Sequence, residues 1–137
     1  MARQLPNGKW KLYKKDIKKY ERYCHLWAEA LFLHAWNIVV SPADVITGPG
    51  DDDAVSGVDY DIFNKEAEIS IIEEWPENME PDDLALMECA LHEVLHILLA
   101  PMTSMALERC NFSERQFNDL EHDAIKNLSV HLMNREN

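Results

Sequence analysis

Hydrophobic residues recur at intervals of three and four positions in three parts of the chain, and this spacing predicts three helices. The first helix covers residues 14–34 and the last covers residues 113–133. The second covers residues 82–100, with Pro81 and two carboxylates suited to its first turn, and Pro101 is expected to end it. This second helix is apolar almost all round, which predicts that it forms the buried centre of the domain.

Shorter runs of β-forming residues lie between the first two predicted helices. Residues 36–40 form one run, which Ser41 and Pro42 are expected to end. Residues 54–63 and 66–73 form two more, and the two residues between them suit a tight hairpin turn. The predicted order is therefore α-β-β-β-α-α, an α+β domain with a small, mostly antiparallel sheet packed on the central helix.

The length and composition are those of one globular domain. The chain has 137 residues, 47% of them hydrophobic and 28% charged, which excludes a disordered or fibrous protein. Its uninterrupted apolar stretches fall far short of the roughly 20 residues that a membrane span needs, and no signal peptide opens the chain. Three cysteines without a CxxC pair predict reduced thiols in a cytoplasmic protein: Cys24, Cys89 and Cys110.

The net charge of −12 is unevenly distributed. Eight of the thirteen Lys and Arg residues lie in residues 1–22 against two acidic residues, so this segment carries +6 and the remainder −18. So acidic a body repels phosphate backbones, which argues against nucleic-acid binding by the whole domain. We take residues 1–13 as a basic N-terminal segment and residues 14–137 as the domain. The basic residues form either a solvated helix face beside the acidic body or a docking arm for an anionic partner.

The candidate chemistry lies in the central helix, which contains His92, Glu93 and His96 in an HExxH motif. Histidines four residues apart project from one face of a helix, so both imidazoles can reach one zinc ion. Glu93 points to the neighbouring side, where it suits a general base. Unpaired polar groups in such an apolar helix would cost roughly 1–3 kcal/mol each, and a metal satisfies both histidines at once. The alternative is a pair of core histidines bonded to backbone carbonyls.

A catalytic zinc ion needs a third protein ligand, and the last helix offers Glu121, His122 and Asp123. Glu121 lies on the apolar stripe that continues through Ala124, Ile125 and Leu128 and is expected to face the core. His122 and Asp123 are expected to be rotated away from it. We therefore favour Glu121 as the third ligand of one zinc ion per chain, with His122 and Asp123 as alternatives.

This arrangement resembles a known family over roughly residues 14–133. The order along the chain is a helix, a strand, an acidic turn, a hairpin, a helix with HEVLH at 92–96 followed by LLAP at 98–101, and a last helix with an early glutamate. This order is similar to that of the small zinc metallopeptidases of the glutamate-zincin group. The single-domain, minigluzincin-like members are the nearest match.

The resemblance implies that His92 and His96 bind zinc, that Glu93 is the catalytic acid/base, and that Glu121 is the third ligand. It also implies that substrate lies along the sheet edge nearest the active-site helix, expected at residues 66–73.

Two features of the family's active site have no direct counterpart in this chain: the aspartate that orients the first histidine and a defined group that stabilises the oxyanion. Larger members have an aspartate one turn after the ligand glutamate to orient the first histidine, whereas this chain has Ile125 there. His131 and His122 are the candidates for stabilising the oxyanion.

The function expected from these residues is a zinc-dependent peptidase that acts on an extended peptide or protein segment bound by strand addition. The alternative is a non-catalytic zinc-binding module with an interaction or regulatory role. A third hypothesis is a nucleic-acid-associated protease that docks through residues 1–22. Two further patterns carry less weight: Cys24 and His25 point apart on a helix, and Asp51–Asp53 lack the spacing of a calcium loop.

Overall fold

A computed structural model of the chain describes residues 2–46, 54–109 and 114–136. Cys110, Asp51–Asp53 and the predicted start of the last helix at residue 113 lie outside these residues. Within them the chain forms three helices and six strands: β1 Arg3–Gln4, β2 Trp10–Lys11, α1 Lys14–Ala30, β3 Asn37–Ala43, β4 Ser56–Asp61, β5 Glu66–Ile72, β6 Glu74–Trp75, α2 Asp83–Arg109 and α3 Glu114–Glu136. The predicted α+β class is confirmed.

Helix α1 packs one face against α2, and Trp27 Nε1 donates a hydrogen bond to the Met87 carbonyl at 3.2 Å. The helix ends at Ala30, four residues before the predicted end. Phe32 has a φ of 60°, a left-handed conformation in which a helix cannot continue, and the Leu33 N–H returns to the Ala28 carbonyl. The chain then turns into the sheet.

The main sheet has the strand order β3-β5-β4. Strands β3 and β5 are parallel, whereas β4 and β5 form the predicted antiparallel hairpin. The end predicted at Ser41 and Pro42 is wrong, because β3 continues to Ala43. Strand β3 lies at the edge of the sheet, where a proline without an N–H group can be accommodated.

The N-terminal residues form a second sheet, in which β1, β2 and β6 are antiparallel. Leu12 is only 1% exposed, and Trp10 Nε1 donates to the Glu77 carbonyl at 3.2 Å. Two of the basic side chains pair with acidic residues of the body, since Lys11 contacts Glu73 and Lys19 contacts Asp83. The segment set apart as residues 1–13 therefore packs on the rest of the chain.

Helix α2 contacts α1, α3 and β4, and its buried residues form much of the core: Leu86, Ala90, Leu91, Val94, Leu95 and Ile97. The end predicted before Pro101 is wrong, because the helix continues through this residue to Arg109. Pro101 is exposed, and packing on both sides of it holds the helix despite the missing N–H. By length and composition alone, residues 83–107 would also suffice to cross a membrane, a test that a core helix passes equally well.

Helix α3 packs on α2 through a stripe that differs from the predicted one. Ile125, Ser129 and Met133 are buried, whereas Leu120 and Leu128 are exposed, as is Ala124. The face of α3 that packs on α2 is therefore rotated about the helix axis from the face that the leucines predict. This rotation decides which side chains of α3 reach α2.

Candidate metal centre

Three histidines meet where α3 packs on the middle of α2. His92 and His96 lie one turn apart on α2, with ring centroids 5.0 Å apart. His122 of α3 lies beside both, with its ring centroid 5.6 Å from that of His92 and 4.9 Å from that of His96. One donor atom from each ring lies within 4.8 Å of the other two. Among residues 2–46, 54–109 and 114–136, these three histidines are the group of His, Cys, Asp or Glu donors that lie close enough together to hold one metal ion.

The expected orientation of His122 is wrong. Its predicted position away from the core followed from a stripe through Ala124, Ile125 and Leu128, but of these only Ile125 is buried, and α3 packs through Ile125 and Ser129. His122 precedes Ile125 by three residues and so lies on the packed side. Asp123 is exposed.

Glu121 lies beside the histidines, with its side chain only 8% exposed. One carboxylate oxygen, Oε1, contacts His96 Nδ1, and the other, Oε2, accepts a hydrogen bond from the buried Thr103 hydroxyl. Burial alone would raise the pKa of Glu121, but the contacts with His96 and Thr103 outweigh it and hold the pKa below its ordinary value. Glu121 as a ligand stays a prediction, beside an arrangement in which it orients His96.

The chemistry of the donor set fits a zinc ion. Burial first, and then the neighbouring His96 and His122, lower the pKa of His92 from 6.5 to about 4. The imidazole of His92 is therefore neutral at pH 7, the form that binds metal. Histidine rings from two helices that converge on one point are ligands that zinc prefers.

Glu93 lies next to this cluster on α2 and is only 4% exposed. Its Oε2 accepts a hydrogen bond of 2.7 Å from the Ser56 hydroxyl on β4. Burial raises the pKa of Glu93, and the hydrogen bond from Ser56 opposes this effect. A carboxylate held in this way can accept a proton beside the histidines.

The histidines and Glu93 line a cavity of about 760 Å³ bounded by β4, α2 and α3. The predicted substrate edge at residues 66–73 is wrong, because β5 is paired on both sides, with β3 and with β4. Sheet order depends on long-range pairing, which the sequence pattern does not show. Among the described residues, the sheet edge nearest α2 that has no strand partner belongs to β4, whose residues from Ser56 to Tyr60 line the cavity.

Among the cavity residues that sequence reasoning missed are three with hydroxyl groups near Glu93 or Glu121: Ser56, Tyr60 and Thr103. Burial, and then the charge of Glu121, raise the pKa of Tyr60. Hydroxyl residues are common on strands and helices, so no signal in the sequence distinguished these three. Of the two oxyanion candidates, His122 lines the cavity, whereas His131 is exposed and lies outside its lining.

Cys24, the candidate nucleophile of a cysteine peptidase, does not form a catalytic site with His25. Burial raises the pKa of the Cys24 thiol far above its usual range, which leaves it protonated. His25, the next residue along α1, is exposed, whereas Cys24 is buried. The pair therefore lacks the geometry of a cysteine peptidase.

Comparison with known protein families, curated proteins and solved structures gives no match to this chain.

Proposed function

We propose that this protein is a zinc-dependent metallopeptidase. The observation that carries the proposal is the cluster of three histidine donors beside the buried Glu93, in a cavity bounded by the free edge of β4. This combination supplies a three-ligand metal site, a base and a surface for an extended peptide.

In this proposal His92, His96 and His122 hold the ion, and Glu121 orients His96. Metal-binding histidines commonly contact a carboxylate through the second ring nitrogen, which fixes the ring and its tautomer. The contact between Glu121 and His96 Nδ1 matches that arrangement, and Thr103 in turn fixes Glu121. Ile125 therefore need not be an aspartate, because a carboxylate four residues earlier supports a histidine instead.

When bound, zinc would polarise the scissile carbonyl and lower the pKa of water towards neutrality. Glu93 takes a proton from the attacking water on a carboxylate oxygen and passes it to the nitrogen of the leaving amine. The packing of α3 on α2 limits solvent around these groups.

The substrate is an extended peptide segment. Strand β4 is hydrogen-bonded to β5 on one side, and its other edge has no strand partner in the described part of the chain, so a peptide backbone could pair there. Because Ser56 to Tyr60 line the same cavity as the histidines, a peptide on this edge passes the metal site.

A second candidate is a non-catalytic zinc-binding module. The hydrogen bond from Ser56 to one Glu93 oxygen favours it, because a carboxylate held by a neighbouring strand can serve packing without acting on a substrate. The two functions differ in one measurable respect, which is peptide hydrolysis that depends on Glu93.

The test is digestion of a peptide library by the zinc-loaded protein, with products identified by mass spectrometry. Glu93→Gln is the matched variant, because it preserves size and all three histidines but cannot accept the proton. We expect cleavage by the parent and a loss of about 10²–10⁴-fold in the variant, at equal zinc content. No cleavage by the parent, or equal cleavage by both, would contradict the proposal.

A further inference from the structure

A second cavity, of about 370 Å³, opens beside the metal centre and shares Ser56, His92 and Glu93 with the first cavity. We propose that this second cavity receives a lysine or arginine side chain of the substrate peptide, next to the bond that is cleaved, and that Glu88 selects it. The inference rests on the proposed function, because it names the class of substrate for the same site.

The second cavity lies between the start of β4 and the first half of α2. Residues 54–56 line one side of it, and α2 lines the other from Ala85 to Glu93. Because the cavity borders both Glu93 and the edge strand, a side chain of a peptide on that strand can enter it while the peptide backbone passes the histidines.

Most of the wall of the second cavity is apolar. Val55, Trp75, Ala85 and Cys89 line it, and Trp75 is fully buried, whereas Met79 beside it is 40% exposed. An apolar wall that leads out to solvent suits the methylene stem of a long side chain whose charged end stays in water.

The acidic side chains that line the second cavity are Glu88 and Glu93, and no Lys or Arg is among its described lining residues. Glu93 is buried and bonded to Ser56, whereas Glu88 is exposed and forms no salt bridge with the described part of the chain. A wholly apolar occupant would cover the Glu88 carboxylate without replacing its bonds to water. A cation replaces them with a charge-assisted hydrogen bond, and an acidic occupant is repelled.

The spacing along α2 matches the length of a basic side chain. Glu88 precedes His92 by four residues, so the two lie on the same face of the helix, about 6 Å apart along its axis. Lys and Arg have unbranched stems of four and three carbons. A side chain that begins at a substrate residue beside His92 can therefore follow the apolar wall and place its cation at Glu88.

The selection is tested first without any assay of cleavage, by NMR titration of the full chain. The probes are N-acetyl-lysine methylamide and its norleucine analogue, which has a stem of the same length without the charge. We expect the amide signals of Ala85 and Cys89 to shift, with the lysine compound binding at least about threefold more tightly at low salt.

Glu88→Gln should remove this difference between the two probes. Glu80→Gln, which neutralises an exposed carboxylate outside the lining of the cavity, is the matched control and should preserve it. Equal binding of the two compounds to the parent, or a preference for lysine that survives in Glu88→Gln, would overturn the inference.

Substrate choice is then tested with the peptide library. We expect cleavage next to Lys or Arg, and we expect Glu88→Lys to lower kcat/KM for these peptides about 10–100-fold at equal zinc content, because repulsion replaces attraction. Cleavage without preference for a basic residue, or an unchanged preference in Glu88→Lys, would overturn the inference and leave the proposed function standing. If the parent cleaves no peptide, the proposed function fails, and the NMR comparison still decides whether the cavity selects a basic side chain.

Discussion

At the scale of single residues, the metal centre depends on which atoms of α3 face α2. His122 contributes a ring beside His92 and His96, whereas the Glu121 carboxylate contacts His96 and Thr103. A ligand and a residue that orients a ligand have different effects when they are removed. Neighbouring residues of one helix can therefore be distinguished by zinc affinity.

We expect His122→Ala to abolish stoichiometric zinc binding, because it leaves two ligands. Glu121→Ala should weaken zinc binding about 10–100-fold while leaving a site that fills at high zinc, since His96 loses its orienting partner. Competition with a chromophoric chelator measures both affinities, and Asp123→Ala is the control because this carboxylate is exposed. If Glu121→Ala abolishes binding and His122→Ala does not, Glu121 is the third ligand, as in the glutamate-zincins.

His92 also predicts how the metal-free protein responds to pH. Its pKa is about 4 in the folded chain and 6.5 as a free side chain, so the unfolded state binds more protons between these values. The contribution of His92 to stability is therefore present above pH 6.5 and lost as the pH falls towards 4, with a slope of up to about 1.4 kcal/mol per pH unit. Urea unfolding over this range should show a shallower decline for His92→Gln. An unchanged slope in this variant would contradict the burial of a neutral His92.

At the scale of elements, the sequence supported the helices and the hairpin because these depend on local periodicity and turn chemistry. The HExxH histidines share one face of α2 for the same reason. The position of β5 at the centre of the sheet and the rotation of α3 depend on contacts between distant segments. In α3 the polar Ser129 takes a buried position that a search for leucines assigns to the surface.

Pro101 shows the limit of a local rule. Proline lowers helix stability by roughly 3 kcal/mol relative to alanine in a helix interior, yet α2 continues through it because both halves are packed. We expect Pro101→Ala to raise the free energy of unfolding by about 1–3 kcal/mol, because it restores a backbone donor at an exposed position. Urea unfolding measures this change, with the exposed Met102→Ala as control. A loss of stability would contradict this expectation and would mean that Pro101 itself stabilises the second half of α2.

At the scale of the whole molecule, the basic N-terminal residues lie against an acidic body. Lys11 and Lys19 pair with Glu73 and Asp83, which accords with a solvated basic face beside acidic residues. The docking hypothesis for residues 1–22 remains a prediction. A truncation alone cannot test it, because residues 1–13 also include the buried Leu12.

We expect removal of residues 1–13 to destabilise the domain by about 2–5 kcal/mol, since it deletes Leu12 from the core and β2 from its sheet. The exposed pair Lys14→Gln and Lys15→Gln should leave stability nearly unchanged and is the appropriate test of docking. If the arm binds anions, affinity for a single-stranded oligonucleotide falls in this double variant and depends on salt. Unchanged stability after truncation would contradict the packing of the N-terminal sheet.

The central claim is a zinc ion held by histidines from two helices, and anomalous scattering at the zinc edge from a crystal of the full chain tests it most directly. We predict one peak per chain, within about 2.0–2.1 Å of a nitrogen of each of His92, His96 and His122, with Glu121 in contact with His96. No peak after zinc soaking at neutral pH, or a peak away from His92 and His96, would contradict the claim.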